Sequence, residues 1–285
     1  MIGVEKEKIY SLILTIFVWT LIIIYLTPII WMISTSFKSL EEWMSPHFLP
    51  KNPTIESYTK LITGATYGVK GAFPSIIPYL FNSIIVAIVT AFVSTFSGAM
   101  VAYAIQRYKV GGLGLANWIL SLRMIPPIAV LLPLVIMMRT IGLFNTVIAL
   151  ILVYQLITLP ITTWFMIGVF KNIPKEIDEA ALVDGCSELE VFMKVALPLA
   201  APGVAISAIF AFLFSWNEFL IALVLATGPR AQTLPVYAGL FVTEYGVLWG
   251  PLAATGVITT IPVVIFALIL QKYIIRGLTL GAIKG

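Results

Sequence analysis

The chain has 285 residues, 60% of them hydrophobic and only 11% charged, with a mean hydropathy of +1.04. Soluble domains carry about a quarter charged residues, so this apolar surplus exceeds what one compact aqueous core can bury, and lipid is the expected solvent for much of it. The net charge of +4 comes from basic residues scattered between hydrophobic runs, which argues against nucleic acid. The lone Cys186 forms no internal disulfide, and the lone His47 offers no zinc cluster, Ser-His-Asp triad or Cys-His dyad.

Apolar runs of ~20 residues span a bilayer as helices, because a spanning segment must satisfy its own backbone hydrogen bonds. Such runs are expected at Ser11–Met32, Pro78–Ala104, Leu115–Met138, Thr146–Val169, Gly203–Ala226 and Leu252–Ile275. The fold class is therefore an all-α integral membrane protein of about six transmembrane helices, read as a single domain over residues 1–285. The first run is longer than the ~7–15-residue apolar core of a signal peptide, and an uncleaved anchor is expected.

Between the first two runs, Ser34–Ile77 forms a long loop rich in Pro and Gly. Prolines at Pro126, Pro127, Pro133, Pro160 and Pro262 interrupt later runs, either as packing kinks or as breaks that line a cavity. The Pro126-Pro127 pair favours a functional break, because Arg123 lies one turn before it. Basic residues set orientation. Lys6, Lys8, Arg107, Lys109, Lys171, Lys175, Lys194, Lys272, Arg276 and Lys284 fall on one side. Lys38, Lys51, Lys60, Lys70, Arg139 and Arg230 fall on the other. The first side, with both termini, is expected to be cytoplasmic. His47 sits in the external loop, where solvent or an extracellular partner would meet it.

The cytoplasmic loop, residues 171–202, has the most structured sequence. Pro174 suits the first position of a short helix, and Glu176, Asp178 and Glu179 complement its positive end. Gly185 closes it in a left-handed conformation. Ser187 and Glu190 then fit a capping box. A second helix is expected with Leu189, Phe192 and Val195 or Ala196 on one face, stopped by Pro198 and Pro202. Adjacent Ala180 and Ala181 leave a narrow surface that another body can approach closely.

Glu179-Ala180-Ala181, Gly185, Val195 and Leu197-Pro198, at these spacings, resemble the EAA loop of ABC importer permeases, with Val195 where that family usually has Ile. The resemblance implies a type I ABC importer-like permease fold. It also implies docking on an ATPase through Glu179, Ala180 and Ala181, a sharp turn at Gly185, and a cap or partner contact at Asp184. Trp216-Asn217-Glu218-Phe219, Gln232-Thr233-Leu234-Pro235 and the terminal Gln271-Lys272-Tyr273, Arg276-Gly277-Leu278-Thr279 and Gly281-Ala282-Ile283-Lys284-Gly285 resemble the smaller permease of carbohydrate-uptake systems of the maltose and trehalose type. There the C-terminal tail reaches toward the ATPase dimer. The partners so implied are a homologous permease, two cytoplasmic ATPase subunits, an extracellular solute-binding protein and membrane lipid.

The chain has no Gly-Lys dipeptide, so it cannot carry a GxxxxGK[ST] phosphate loop. No enzymatic activity and no bound cofactor are expected of it; ATP and magnesium belong in the partner ATPase. An ion-gradient carrier remains the alternative, although only Arg123 and Glu218 stand at membrane depth as coupling groups. An intramembrane enzyme lacks a spaced motif, and a plain scaffold does not need the capped loop. A polyhydroxyl solute wants hydrogen bonds and an aromatic face, for which the candidates are Asn82, Arg123, Tyr154, Gln155, Trp216, Asn217 and Glu218. Interhelical hydrogen bonding and packing are the other roles open to each.

Overall fold

A computed structural model describes the backbone of residues 2–64, 66 and 73–282. The side chains of Lys6, Lys8, Lys70, Lys272, Arg276 and Lys284 lie outside the described residues, as does the end of the tail from Ile283. Among the described residues four helices are long and apolar enough to cross a membrane: Tyr10–Ser36, Ile77–Tyr108, Val147–Lys171 and Trp249–Ile269. Two sharply bent helix pairs raise the number to six if each is one span.

In chain order the helices begin with α1 (Ile2–Ser36), α2 (Glu56–Thr63), α3 (Ile77–Tyr108), α4 (Gly112–Ser121), α5 (Pro127–Thr140) and α6 (Val147–Lys171). The loop holds α7 (Lys175–Val183), α8 (Glu188–Glu190), a π-helical turn Val191–Ala196, and α9 (Leu197–Leu199). Then come α10 (Ala201–Trp216), α11 (Leu220–Leu225), α12 (Leu234–Gly239), a small hairpin of β1 (Val242–Thr243) with β2 (Gly246–Val247), and α13 (Trp249–Ala282). Val242 pairs with Val247 and Thr243 with Gly246.

Of the two roles open to the prolines, a break of the chain does not occur at three of them. Pro133, Pro160 and Pro262 sit inside continuous helices, because in apolar surroundings neighbours re-satisfy the carbonyls a proline frees. Beside this turn Arg123 Nη1 donates to the Ile157 carbonyl at 3.1 Å, next to the Leu156 carbonyl that Pro160 leaves without a helical N–H. Pro126-Pro127 does break the chain. The residue before a proline is pushed out of the helical region, Ile125 and Pro126 are extended (ψ 119° and 124°), and the flanking segments meet at 92°. The expected span Leu115–Met138 is thus a bent pair. The expected span Gly203–Ala226 is also broken. α10 has 16 residues, short of the ~20 that cross a bilayer. Asn217 Nδ2 donates to the Leu213 carbonyl at 2.8 Å and ends it, in the way short polar side chains compete with the helix ladder.

Residues 1–75 and 238–260 form one compact unit, and residues 76–237 with 261–285 another. In the first, α1 exposes apolar residues on every face, among them Leu12, Phe17, Trp19, Ile23 and Tyr25. A helix apolar all round belongs in lipid or in a core. Trp31 meets Trp249 edge-on at 6.5 Å. Lys38, expected as a loop cation, is instead 1% exposed, its ammonium donating to the His47 carbonyl at 2.7 Å and the Ser45 carbonyl at 3.4 Å. It knits the loop onto its own backbone.

The second unit is built on α3, α6 and α10, which pack mutually. α3 and α6 approach closely at Gly98. A Cβ there would fall on the Thr162 hydroxyl and 2.9 Å from the Thr163 nitrogen. Thr162 Oγ1 uses that proximity to donate to the Ser94 carbonyl at 2.7 Å, the small-residue and polar contact typical of helices packed in lipid.

Candidate functional site

The loop between α6 and α10 presents an outward surface on an anchored base. α7 starts one residue later than expected, with Pro174 flanking it in extended backbone (ψ 134°) rather than as its first residue. Glu179, Ala180 and Asp184 are exposed and Ala181 is half-exposed. Among the described residues Glu179 pairs only with Lys175, at 3.2 Å, both side chains being open to solvent. Such surface pairs contribute little, so Glu179 is available to another body. Val183, 88% exposed, adds an apolar tip that the sequence pattern did not single out.

The turn is fixed by backbone geometry. Gly185 has φ +91°, a conformation costly for any residue with a Cβ. Through it the Asp184, Gly185 and Cys186 N–H groups donate back to the Ala180, Leu182 and Ala181 carbonyls at 3.0–3.1 Å, satisfying the helix end. The capping box forms at Ser187 and Glu190. Lys194 donates to Glu190 at 2.7 Å, and the Ser187 N–H and hydroxyl donate at 3.0 and 2.9 Å. The Lys194 bond, followed by the two from Ser187, holds the Glu190 carboxyl down at about 2, so the cap keeps its charge at any physiological pH.

Past the cap the structure departs from the regular second helix expected there. Leu189 is 63% exposed. The chain winds as a π-helical turn over Val191–Ala196 and continues through Pro198 to Leu199. Pro198 has no N–H for the Lys194 carbonyl, and the wider turn absorbs that missing bond. Phe192 and Ala196 thereby face inward, where they join Ala99, Ala102 and Tyr103 of α3 and Met166 and Phe170 of α6. Phe192 lies 5.1 Å from the Tyr103 ring. Val195 and Leu197 are half-buried and Pro198 is exposed, so these three form the rim of the anchored base. After Ala200 the direction changes by 82°.

The seven residues proposed to face a solute fall into three places. Tyr154 is 1% exposed, its hydroxyl beside the Glu218 and Thr233 side chains and within hydrogen-bond geometry of no partner among the described residues. Glu218 accepts from the Ile221 and Ala222 N–H groups at 2.9–3.1 Å and so opens α11. The neighbouring Gln155 donates its amide to the Ile151 carbonyl, and its buried Oε1 has no hydrogen-bond partner among the described residues. Trp216 is buried and stacks on Phe212, while Asn217 is the exposed end of α10.

Arg123 stands apart, its guanidinium 4.9 Å from the Phe214 ring at a cavity of about 290 Å³ walled by Leu122, Pro127, Leu156, Ile157 and Ile221. Asn82 is elsewhere again. Its Nδ2 donates to the Pro229 and Gln232 carbonyls at 3.1 and 3.0 Å, and the adjacent Ser83 Oγ accepts from the Leu234 N–H at 2.7 Å. This fastens the segment before α12 to α3. Asn82→Ala strands two carbonyls, and a loss of about 1–3 kcal/mol is expected, read as a lower melting midpoint of the purified chain in detergent.

Sequence reasoning missed Asp178 as a contact residue, having counted it only as a favourable charge at a helix start. It is 6% exposed and paired with Arg107 of α3. The signal was present as an acid in a helix otherwise open to water, but the partner lies 71 residues away.

Apolar helices with broken spans, and a capped loop seated on them, define a membrane permease. Residues 94–280 match the family described as binding-protein-dependent transport system inner membrane component. The trehalose/maltose transport system permease protein MalG of Thermococcus litoralis is 36% identical, over 99% of each chain. The trehalose transport system permease protein SugB of Mycobacterium tuberculosis is 35% identical over 93% of this chain and 95% of that one. A crystal structure of a bacterial ABC transporter involved in import of the acidic polysaccharide alginate shares the fold. It superposes with a TM-score of 0.74 at 22% identity, covering 94% of this chain and 97% of that one. The chain belongs to the binding-protein-dependent inner membrane permeases of ABC importers. These are transport proteins, not enzymes.

Proposed function

We propose that this chain translocates a sugar or sugar-like solute, of the disaccharide or oligosaccharide class, into the cytoplasm as one of two homologous permeases. Two cytoplasmic ATPases, which hold ATP and magnesium, drive it, and an extracellular solute-binding protein delivers the solute. The observation that carries the reading is the loop: an exposed helix bearing Glu179, Ala180, Ala181 and Asp184, a turn at Gly185, and a base through Val195, Leu197 and Pro198 seated on two spans. Exposed small and apolar residues on a rigid base suit docking to a protein partner. ATPase closure is passed through this element to the spans, giving alternating access.

The relatives' transport of trehalose and maltose supports the solute class, and the family description supports the binding protein. The loop and both termini face the cytoplasm, where the basic residues concentrate. Arg123 at its cavity, and Tyr154, Gln155 and Glu218 once the spans move apart, are the groups assigned to solute hydroxyls. Trp216 and Asn217 act at the break beside them.

Proteoliposomes holding the permease pair, the ATPases and the binding protein test the reading. Labelled disaccharide is expected to accumulate with ATP inside the docking compartment and to ignore ion gradients. Accumulation driven by a gradient without ATP would replace the importer reading by that of a secondary carrier.

A further inference from the structure

We propose that the Arg107–Asp178 ion pair is the pivot through which movement of α7 is passed into the span α3. The inference rests on the importer reading and names the residues that carry its coupling. α7 has little apolar hold on the molecule: Ile177, Leu182 and Val183 are 39%, 41% and 88% exposed. Asp178 is its one buried residue. Arg107 in the last turn of α3 donates through Nε to Asp178 Oδ2 and through Nη2 to the Ile173 carbonyl at 3.0 Å. Tyr103, one turn earlier on the same face of α3, donates its hydroxyl to the same Oδ2 at 3.2 Å. The two ionic side chains are 11% and 8% exposed.

Two physical points separate a link from simple stabilisation. A buried ion pair stabilises little compared with apolar packing of the same volume, whereas removing one partner leaves an uncompensated charge. Two spans and an aromatic cluster already seat the base of the loop, so what the charges add is the direct tie between α7 and α3. The grip also converges on one oxygen: both donors use Oδ2, while Oδ1 is buried with no hydrogen-bond partner among the described residues. A carboxylate held through one oxygen can swing about it without letting go. The base of the loop rides on α3 and α6 through Phe192, so a push on α7 enters α3 at Arg107 and Tyr103.

The test is the full importer reconstituted with wild type and Asp178→Asn, measuring ATPase co-purification, ATP hydrolysis and solute uptake together. Asp178→Asn is expected to bind the ATPase and hydrolyse ATP, with uptake per ATP falling roughly tenfold or more, within the usual range of coupling between sites. Wild-type uptake per ATP would overturn the pivot, as would loss of ATPase binding, which would make the pair a shaper of the docking surface. Failure of wild type itself to bind an ATPase would instead remove the importer reading. Should Asp178→Asn not accumulate in the membrane, Arg107→Lys serves. It keeps the charge but loses the fork that reaches both Asp178 and Ile173. Reduced uptake per ATP supports the pivot, and an unchanged ratio overturns it.

Discussion

Gly98→Ala is expected to destabilise the chain by about 2–3 kcal/mol, whereas Gly168→Ala is expected to stabilise it by roughly 1 kcal/mol. Both glycines lie in long apolar helices, and the same methyl group is added at each. At Gly98 it lands on the Thr162 hydroxyl and against the Thr163 backbone, so α3 and α6 must part and the Thr162–Ser94 bond is lost. At Gly168 nothing lies within 4 Å, so only the higher helix propensity of alanine is felt. Thermal unfolding of each variant in the same detergent reads the effect. A midpoint for Gly98→Ala at or above wild type would mean that α3 and α6 are not held at this distance.

Gly185→Val is expected to lower ATP-driven uptake about tenfold while leaving membrane insertion and melting nearly unchanged. No atom stands within 4 Å of a Cβ at this position, so the cost is confined to the backbone. A β-branched residue at φ +91° is strained by of order 1–3 kcal/mol and relieves it by reshaping the turn between α7 and the capping box. The spans are untouched, but the docking surface is turned away from its base. Asn tolerates positive φ far better, and Gly185→Asn should keep most of the uptake. The comparison is made as solute accumulated per ATP hydrolysed. Equal loss in the valine and asparagine variants would point to the glycine surface itself, and no loss in either would relieve the turn of any part in coupling.

The long helices were legible because hydropathy over ~20 residues reports directly on lipid burial. The Ser187–Glu190 box, the Gly185 turn and the Pro126-Pro127 break were legible too, since each is a short-range contest between backbone and side chain. What stayed hidden involves partners distant in sequence. Lys38 reads as a loop cation until its ammonium is seen on the His47 carbonyl. Asn82 looks like a pathway residue until its amide is found on Pro229 and Gln232, some 150 residues on. Asp178 looks like dipole compensation until Arg107 is placed beside it. The π-helical turn lay closer to reach: Pro198 announced a lost hydrogen bond, and the sequence does not say whether a helix will stop there or widen. Leu189, ahead of the wider turn, is exposed, and Phe192 within it is buried.

The spans Leu115–Met138 and Gly203–Ala226 failed as continuous helices for related reasons. Apolar content over a window does not register where the backbone changes direction. At Pro126-Pro127 steric exclusion breaks the chain, and at Trp216-Asn217-Glu218 two polar side chains do so by bonding the backbone on either side. The second break brings Glu218 opposite Tyr154, while Arg123 lies at the first. Of the candidate solute contacts, Arg123, Trp216, Asn217 and Glu218 therefore lie at helix breaks, whereas Asn82, Tyr154 and Gln155 lie inside continuous helices.

Docking of an ATPase on the loop at α7 can be read by affinity purification of the detergent-solubilised importer. Wild type and Glu179→Lys are compared for co-purifying ATP hydrolysis. Wild type is expected to retain the ATPase, and reversing the exposed charge at Glu179 to remove most of it without reducing the amount of chain inserted. An ATPase retained equally by both would contradict the assignment of the docking surface to α7.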